Sequence, residues 1–313
     1  MRAFYCDTFE LPLPAHHSFP MQKYSLLRAS VAEQAYVLDV TLTLPPRASD
    51  QDLARVHCPE YINRVMLGTL SVAEQRKIGF PWSPAMAERS RRVSGATIAA
   101  LSAALQGDGV ALNLAGGTHH AFYNSGGGYC IFNDSVIAAR AVQAAGLAKQ
   151  LLVVDLDVHQ GNGTAALCAE DASITTFSMH GAKNYPAVKE HSDFDVHLPE
   201  NTGDAEYLQI LRAQLPEIIA HCRPDAVIYL AGADPFEGDR LGLLKLTKAG
   251  LYARDESVLD ICLAQKIPLA ISMAGGYAPD VNDIVDIHFN TVRAAADFAK
   301  RWAALYPARE PPK

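Results

Sequence analysis

The chain has 313 residues, 49% of them hydrophobic and 19% charged, enough apolar material for a core that covers both faces of a sheet. Its formal net charge is −7, and its nearest approach to a basic cluster, Arg89, Arg91 and Arg92, is diluted by Glu88, which argues against a nucleic-acid binder. The mild acidic excess would suit cationic partners such as lysine-bearing peptides, although ordinary solubility explains it equally.

From the N-terminus, Asp7 arrives too early for a secretory signal peptide. No apolar run approaches the roughly 18 residues that span a bilayer, so a cytoplasmic protein is expected. Strands are predicted at 3–6, 36–40, 110–114, 151–155, 174–178, 226–231 and 269–273. Helical spacing of apolar residues marks 94–106, 135–145, 205–220, 247–264 and 281–305. Strand, crossover helix and parallel strand alternate, which predicts an α/β fold. We expect a single domain built on an open, mainly parallel sheet flanked by helices on both faces, with every strand's carboxyl end on one rim. The end of the chain, from about 306 to 313, reads as a frayed tail. Cys6, Cys58, Cys130, Cys168, Cys222 and Cys262 show no Cys-x-x-Cys spacing, against a zinc finger or disulfide framework and in favour of a reducing compartment.

Polar, glycine-rich segments fall at five of these strand ends, the rim where open α/β sheets bind ligands. After the 151–155 strand comes Asp157-Val158-His159, and after the 226–231 strand comes Asp234. Two carboxylates and one imidazole would hold a cation with positions left for water and substrate, the pattern of a catalytic zinc site. His119-His120 follows the 110–114 strand and offers a general base titrating near neutrality; the plain alternative is loop filler. Asp155 lies two residues before Asp157, on the same face of the strand, and either orients an imidazole or caps the strand. Asn162, between two glycines, either orients the other histidine or fills a left-handed turn. Tyr277, after Gly275-Gly276, offers a hydroxyl to an oxyanion, against the plainer reading of a structural tyrosine. Gly126-Gly127-Gly128 would line a narrow channel or form a flexible turn, and Cys130 reads as a packing residue. His180 follows a strand and lies in reach of the site. His16 and His17 fall in an N-terminal loop; the other five histidines read as structural or surface residues.

Taken together, Gly117-Thr118-His119-His120-Ala121, Gly128 to Asp134, Asp155 to Gly163, Gly232-Ala233-Asp234 and Gly275-Gly276-Tyr277 resemble the zinc-dependent histone deacetylase family, in the family's order and over nearly the whole chain. Gln160-Gly161-Asn162-Gly163, with 19–24 and 78–82, looks like its class IV branch, which includes many bacterial members. The resemblance implies the arginase/deacetylase fold, with zinc (or iron in the cell) on Asp157, His159 and Asp234. It implies His119 and His120 as the catalytic pair, the second acting as base and then acid, and Tyr277 as the carbonyl-polarising group. Gly128 and Tyr129 match positions lining an acyl-lysine tunnel, with Tyr185 as part of the opposite wall. A structural potassium ion would use Asp155, the Ser178 hydroxyl and the carbonyls of Asp157, His159 and Met179.

Two departures stand out. Asn162 replaces a second Asp behind a catalytic histidine, and 80–83 offers no acidic rim residue to grip a peptide backbone. The implied activity is hydrolysis of Nε-acyl-lysine in peptides or proteins, with class IV relatives pointing to long acyl chains. The alternative substrates are acylated small amines such as acetylpolyamines. A catalytically silent acyl-lysine binder would show damage to the triad, the histidine pair or the tyrosine, and all six residues are intact.

Overall fold

The structure is a computed structural model that describes residues 1–307 except 10 and 15. Its eight strands are β1 (Arg2–Phe4), β2 (Thr41–Thr43), β3 (Val110–Asn113), β4 (Leu151–Asp155), β5 (Ile174–Gly181), β6 (Phe194–Leu198), β7 (Ala226–Leu230) and β8 (Leu269–Ser272). They form one sheet in the order β2-β1-β3-β8-β7-β4-β5-β6, and every pairing is parallel. The α-helices are α1 (Gln22–Leu38), α2 (Asp50–Ala54), α3 (Pro59–Leu67), α4 (Val72–Ile78), α5 (Pro84–Ala103), α6 (Asp134–Ala144), α7 (Asn162–Cys168), α8 (Asp204–Cys222), α9 (Lys248–Ala264) and α10 (Val281–Leu305).

The central strands β3, β4, β7 and β8 are buried at every residue, because alternate side chains enter cores on opposite faces. Leu152, Val154, Val227 and Tyr229 pack against α1, α8, α9 and α10; Leu151, Val153, Ala226 and Ile228 pack against α3, α5 and α6. This is the arginase/deacetylase arrangement. With both faces covered, the carboxyl ends of β3, β8, β7 and β4 are the adjacent strand ends from which loops can converge. No helix among the described residues is long and apolar enough to cross a membrane, and all six thiols are free.

Three sequence expectations are corrected. The stretch 36–40 is not a strand: α1 runs to Leu38, Asp39 closes it in a left-handed conformation (φ 53°), and β2 begins at Thr41. Tyr36 and Val37 look like strand residues but are 98% and 71% exposed, while Tyr24, Leu27 and Val31 carry the helix's buried stripe. Strand β6 was not expected, because its apolar residues alternate with Asp195 and His197 on a sheet edge. Helix α5 starts ten residues before 94, where the Ser83 hydroxyl accepts from Met86 N and Pro84 occupies the first turn. It ends in a π-helical turn, Ala104–Asp108. Of the expected tail, 308–313 lies outside the described residues. Tyr306 is packed, its ring 4.9 Å from that of Trp302 and its hydroxyl donating to the Leu263 carbonyl.

Candidate active site

Asp157 and His159 lie on the turn that leaves β4, and Asp234 on the turn that leaves β7, the neighbouring strand. One ligand atom from each of the three buried residues falls within 4.8 Å of the others. Asp157 Oδ1 accepts from the His159 amide and from His159 Nδ1, both at 2.9 Å, while Oδ2 accepts from Gly275 N at 2.8 Å. Asp234 Oδ1 accepts from Val158 N at 2.9 Å. The other oxygen, Oδ2, is buried without a hydrogen bond, 3.2 Å from His159 Nδ1. Gly275 makes this approach possible: a Cβ there would lie 1.9 Å from Asp234 Oδ2 and 2.6 Å from Asp157 Oδ2.

Burial and the nearby Asp157 charge push the Asp234 carboxyl up to about 7. Burial opposes a charge on His159, but Asp157 and Asp234 outweigh it and hold the ring at about 10. The three groups thus draw one positive charge into the space between them. An orphaned carboxylate oxygen beside a second carboxylate and an imidazole nitrogen fits a divalent cation held with open positions.

The histidine pair stands on the loop leaving β3, anchored by a residue that the sequence reading gave no role. The buried Asp134 carboxylate, at the start of α6, accepts from Thr118 N (2.7 Å), Gly117 N (3.1 Å), and the hydroxyls of Thr118 and Thr97 (2.6 Å each). The rings of His119 and His120 lie 4.1 Å apart, with opposite surroundings. His119 Nδ1 lies 2.6 Å from Asp155 Oδ2; burial works against its charge, but Asp155 and Asp157 hold it at about 9. His120 Nδ1 lies 2.7 Å from Asn162 Oδ1; burial and the neighbouring positive rings drive it well below 6.5, and the neutral amide offers little compensation. Asn162 opens α7 and has helical rather than left-handed backbone, so the turn reading of this residue is set aside.

Tyr277 follows β8. Its amide donates to Asp239 Oδ2 at 2.6 Å and its carbonyl accepts from Arg240 at 2.8 Å. Its buried ring stands 6.3 Å from that of His159 and 5.8 Å from that of Tyr129, and burial raises the phenol well above 10. Gly128 and Tyr129 both have positive φ (52° and 66°), and a Cβ on Gly128 would lie 2.5 Å from the His120 ring, so glycine is required there. Tyr185, 45% exposed, presents its ring edge-on to His120 at 4.8 Å. Of the sequence-expected wall residues, Gly128 and Tyr185 thus stand against His120, and Tyr129 stands near Tyr277.

For the expected potassium ligands, the β4–β5 register places Asp155 directly across from Ser178, with Met179 next along the strand. His180, also singled out, is buried with Nδ1 2.9 Å from the Ser178 hydroxyl and Nε2 2.8 Å from His197. Sequence reasoning missed Lys23, Asp134, Asp239 and Arg254. Arg254, wholly buried in α9, donates to the Gly232 carbonyl at 2.6 Å, just before Asp234. Each supports backbone rather than substrate, and none lies in a metal-like or catalytic spacing. Nothing in the sequence singles them out: Arg254 stands in the charged run Arg254-Asp255-Glu256, and Lys23 shares α1 with Arg28 and Glu33.

Comparison with known proteins agrees with this geometry. Residues 17–292 match the histone deacetylase domain. An uncharacterized protein of Picosynechococcus sp. is 43% identical over 94% of this chain and 97% of its own length. Histone deacetylase 2 of Arabidopsis thaliana is 29% identical over 83% of this chain and 70% of its own, and the acetoin utilization protein AcuC of Bacillus subtilis is 29% identical over 74% and 65%. The crystal structure of the HDA15 HD domain shares the fold, with a TM-score of 0.78 over 98% of this chain and 97% of that one, at 22% identity. With the family's domain matched over most of its length, the chain belongs to the histone deacetylase family of metal-dependent amide hydrolases.

Proposed function

We propose that this protein hydrolyses the side-chain amide of Nε-acyl-lysine, using Asp157, His159 and Asp234 to hold a zinc ion and His119, His120 and Tyr277 to carry out proton transfer and charge stabilisation. The observation that carries this reading is the contrast within the histidine pair. Beside the triad, His119 Nδ1 meets the Asp155 carboxylate, which favours a charged ring, and His120 Nδ1 meets the neutral Asn162 amide, which adds no charge. Neighbouring titratable groups pushed apart in this way mark acid and base roles.

When bound, the zinc supplies Lewis acidity toward the amide carbonyl and makes water a stronger acid. His120 has the lone pair for proton removal: its Nδ1–H donates to Asn162, leaving Nε2 unprotonated. It takes a proton from water as the water oxygen bonds to the acyl carbon. The Tyr277 hydroxyl donates to the carbonyl oxygen as negative charge develops there. When the carbon–nitrogen bond breaks, His120 returns the proton to the leaving amine, and the products are a carboxylate and lysine. His119 keeps positive charge behind the reacting atoms. Gly128, Tyr129 and Tyr185 guide the acyl-lysine stem. Potassium on Asp155, Ser178 and the carbonyls of Asp157, His159 and Met179 would brace the triad's turn.

The acyl group is assigned to a cavity of about 50 Å³ next to the histidine loop, lined by Leu11, Phe19, Tyr24, Phe80 and Phe132, with Arg89, Ser90 and Thr118 also on its wall. That is room for about four waters, which favours a chain of a few carbons over the long acyl groups that the class IV likeness brings to mind. The free thiols support a reducing, cytoplasmic setting.

Turnover of acetyl-, butanoyl-, octanoyl- and myristoyl-lysine peptides, with and without chelator and beside Tyr277→Phe, tests the reading. Chelator-sensitive turnover that collapses in the variant supports it. Metal-loaded protein inactive on every peptide removes it and leaves acylated small amines or a silent binder.

A further inference from the structure

We propose that the mouth of the site selects acyl-lysines flanked by acidic residues. This deepens the hydrolase reading above and rests on it. The cleft has a volume of about 430 Å³, with His120, His159 and Tyr277 at its floor. Its walls include the apolar Leu241, Leu243 and Tyr185 and three cations, Arg76, Lys77 and Lys183, and no Asp or Glu among the described residues lines it. On a chain of net charge −7 this rim has the opposite sign to the whole. The cationic partner suggested by overall charge is therefore not the one the entrance fits.

The three cations are not equivalent. Lys183 is bonded to Glu200 at 2.6 Å and is partly neutralised. Arg76 and Lys77 are exposed and have no carboxylate within ion-pairing distance among the described residues; Lys77 donates only to the Ser125 hydroxyl, at 3.2 Å. Basic residues in a helix's last turn commonly offset its free carbonyls, but here those carbonyls have partners. Lys77 O accepts from Gly128 N at 3.1 Å, Ile78 O from Tyr129 N at 2.7 Å, and Gly79 O from His17 Nε2 at 2.8 Å. The same bonds tie the cations to the tunnel wall. A methyl group at Gly127 would lie 3.6 Å from both Lys77 Cε and Tyr185 Oη, so the lysine stem and the wall tyrosine border the same glycine.

With a neutral acyl-amide in the tunnel, the residues next to the lysine lie at this rim. Aspartate or glutamate there meets unpaired cations; a basic histone-like flank, or the second ammonium of an acetylpolyamine, is repelled.

The test uses metal-loaded full-length protein and one acyl-lysine peptide with Glu, Gln or Lys on both sides, together with free Nε-acyl-lysine. We expect kcat/KM for the Glu peptide to exceed that for the Lys peptide roughly tenfold at low salt, narrowing to about twofold near 0.5 M, as screened charges require. Arg76→Glu combined with Lys77→Glu should invert the order. Equal rates across the three flanks, or preference for Lys, overturns the proposal while leaving the hydrolase reading standing. Free acyl-lysine outpacing the Glu peptide also overturns it, by assigning the rim to a small carboxylate. If none of the peptides and not the free acyl-lysine is turned over, the hydrolase reading fails by itself. Anisotropy of labelled Glu and Lys peptides on Tyr277→Phe then still reads the rim, and equal binding would sink the proposal.

Discussion

The ammonium of Lys23, 1% exposed, lies 3.3 Å from the carbonyl oxygen of Gly276, the residue that precedes Tyr277. It donates equally to Ala274 O at 3.3 Å and sits 5.2 to 5.4 Å from the rings of Tyr24, Phe19 and Tyr277. A buried cation held by two carbonyls and three rings ties α1 to the loop that aims the phenol. Ala274, with φ 53°, holds that loop in a conformation a non-glycine residue rarely adopts. Lys23→Met should therefore lower kcat by roughly tenfold or more with little change in KM, since small misplacement of a catalytic group acts on the transition state. Lys23→Arg, which keeps charge and donors, should recover part of the loss. A rise in KM at constant kcat would show instead that Lys23 shapes substrate binding.

Asn162 accepts from His120 without bringing a charge to it, so a charged replacement should move the pH profile. In the present arrangement the His120 ring is driven well below 6.5 by burial and the neighbouring histidines, and Asn162 adds no negative charge to oppose this. Asn162→Asp places a carboxylate on Nδ1 and favours the charged ring. A base must be unprotonated to act, so the acidic limb of kcat/KM should move to higher pH by about one unit or more. Asn162→Ala, which removes the acceptor without adding charge, should lower kcat without that upward movement. An acidic limb unchanged in Asn162→Asp would mean that His120 is not the titrating base.

The residues assigned to the metal and to catalysis were legible in the sequence because each lies at the end of a buried strand or within seven residues beyond it, and strands such as 151–155 and 226–230 announce themselves by unbroken apolar runs. The sequence left a strand cap open for Asp155 and a turn open for Asn162; it is the fold that pairs Asp155 with His119 and Asn162 with His120. The supports were not legible. Lys23 and Arg254 act on backbone 253 and 22 residues away in the chain, and only the fold brings those carbonyls to them. The sign of the rim was hidden for a similar reason: Arg76, Lys77 and Lys183 come from separated segments, and overall charge points the other way. Helix α1 was misread because its exposed end carries Tyr36 and Val37, whose β-forming character says nothing about which face is buried.

His57 makes the fold sensitive to acid. It is wholly buried; Nδ1 donates to Phe122 O at 2.9 Å and Nε2 accepts from Asn133 N at 3.0 Å, so both nitrogens are committed in the neutral form. Burial lowers its pKa to about 4 from 6.5. The unfolded chain takes up a proton below 6.5 and the folded chain does not until about 4, so stability present above the unfolded value is lost as pH falls. From pH 7 to 4.5 this group should cost about 2 kcal/mol of unfolding free energy. Urea titrations of the wild type and His57→Gln at both pH values would read the difference. The variant, less stable at pH 7, should lose correspondingly less on acidification, and equal losses in both proteins would remove His57 as the cause.

Metal removal should expose the repulsion built into the triad. Without a cation, the Asp157 and Asp234 carboxylates face each other in a buried space with one imidazole between them, and Asp234 Oδ2 has no hydrogen bond. A divalent cation bound only to the folded state stabilises it by about 3 kcal/mol at a hundredfold excess over Kd. Chelated wild-type protein should therefore melt several degrees lower than the zinc-loaded form. Asp234→Asn removes one of the two opposed charges and offers an amide beside His159. This variant should melt higher than the wild type when both are chelated, and lower when both are supplied with zinc. That crossing of the two orders is the discriminating result. If added zinc raises the melting temperature of Asp234→Asn as much as that of the wild type, the ion is bound elsewhere. If chelation leaves the wild type unmoved while a metal assay shows that the ion has gone, the triad carries no strain for a cation to relieve.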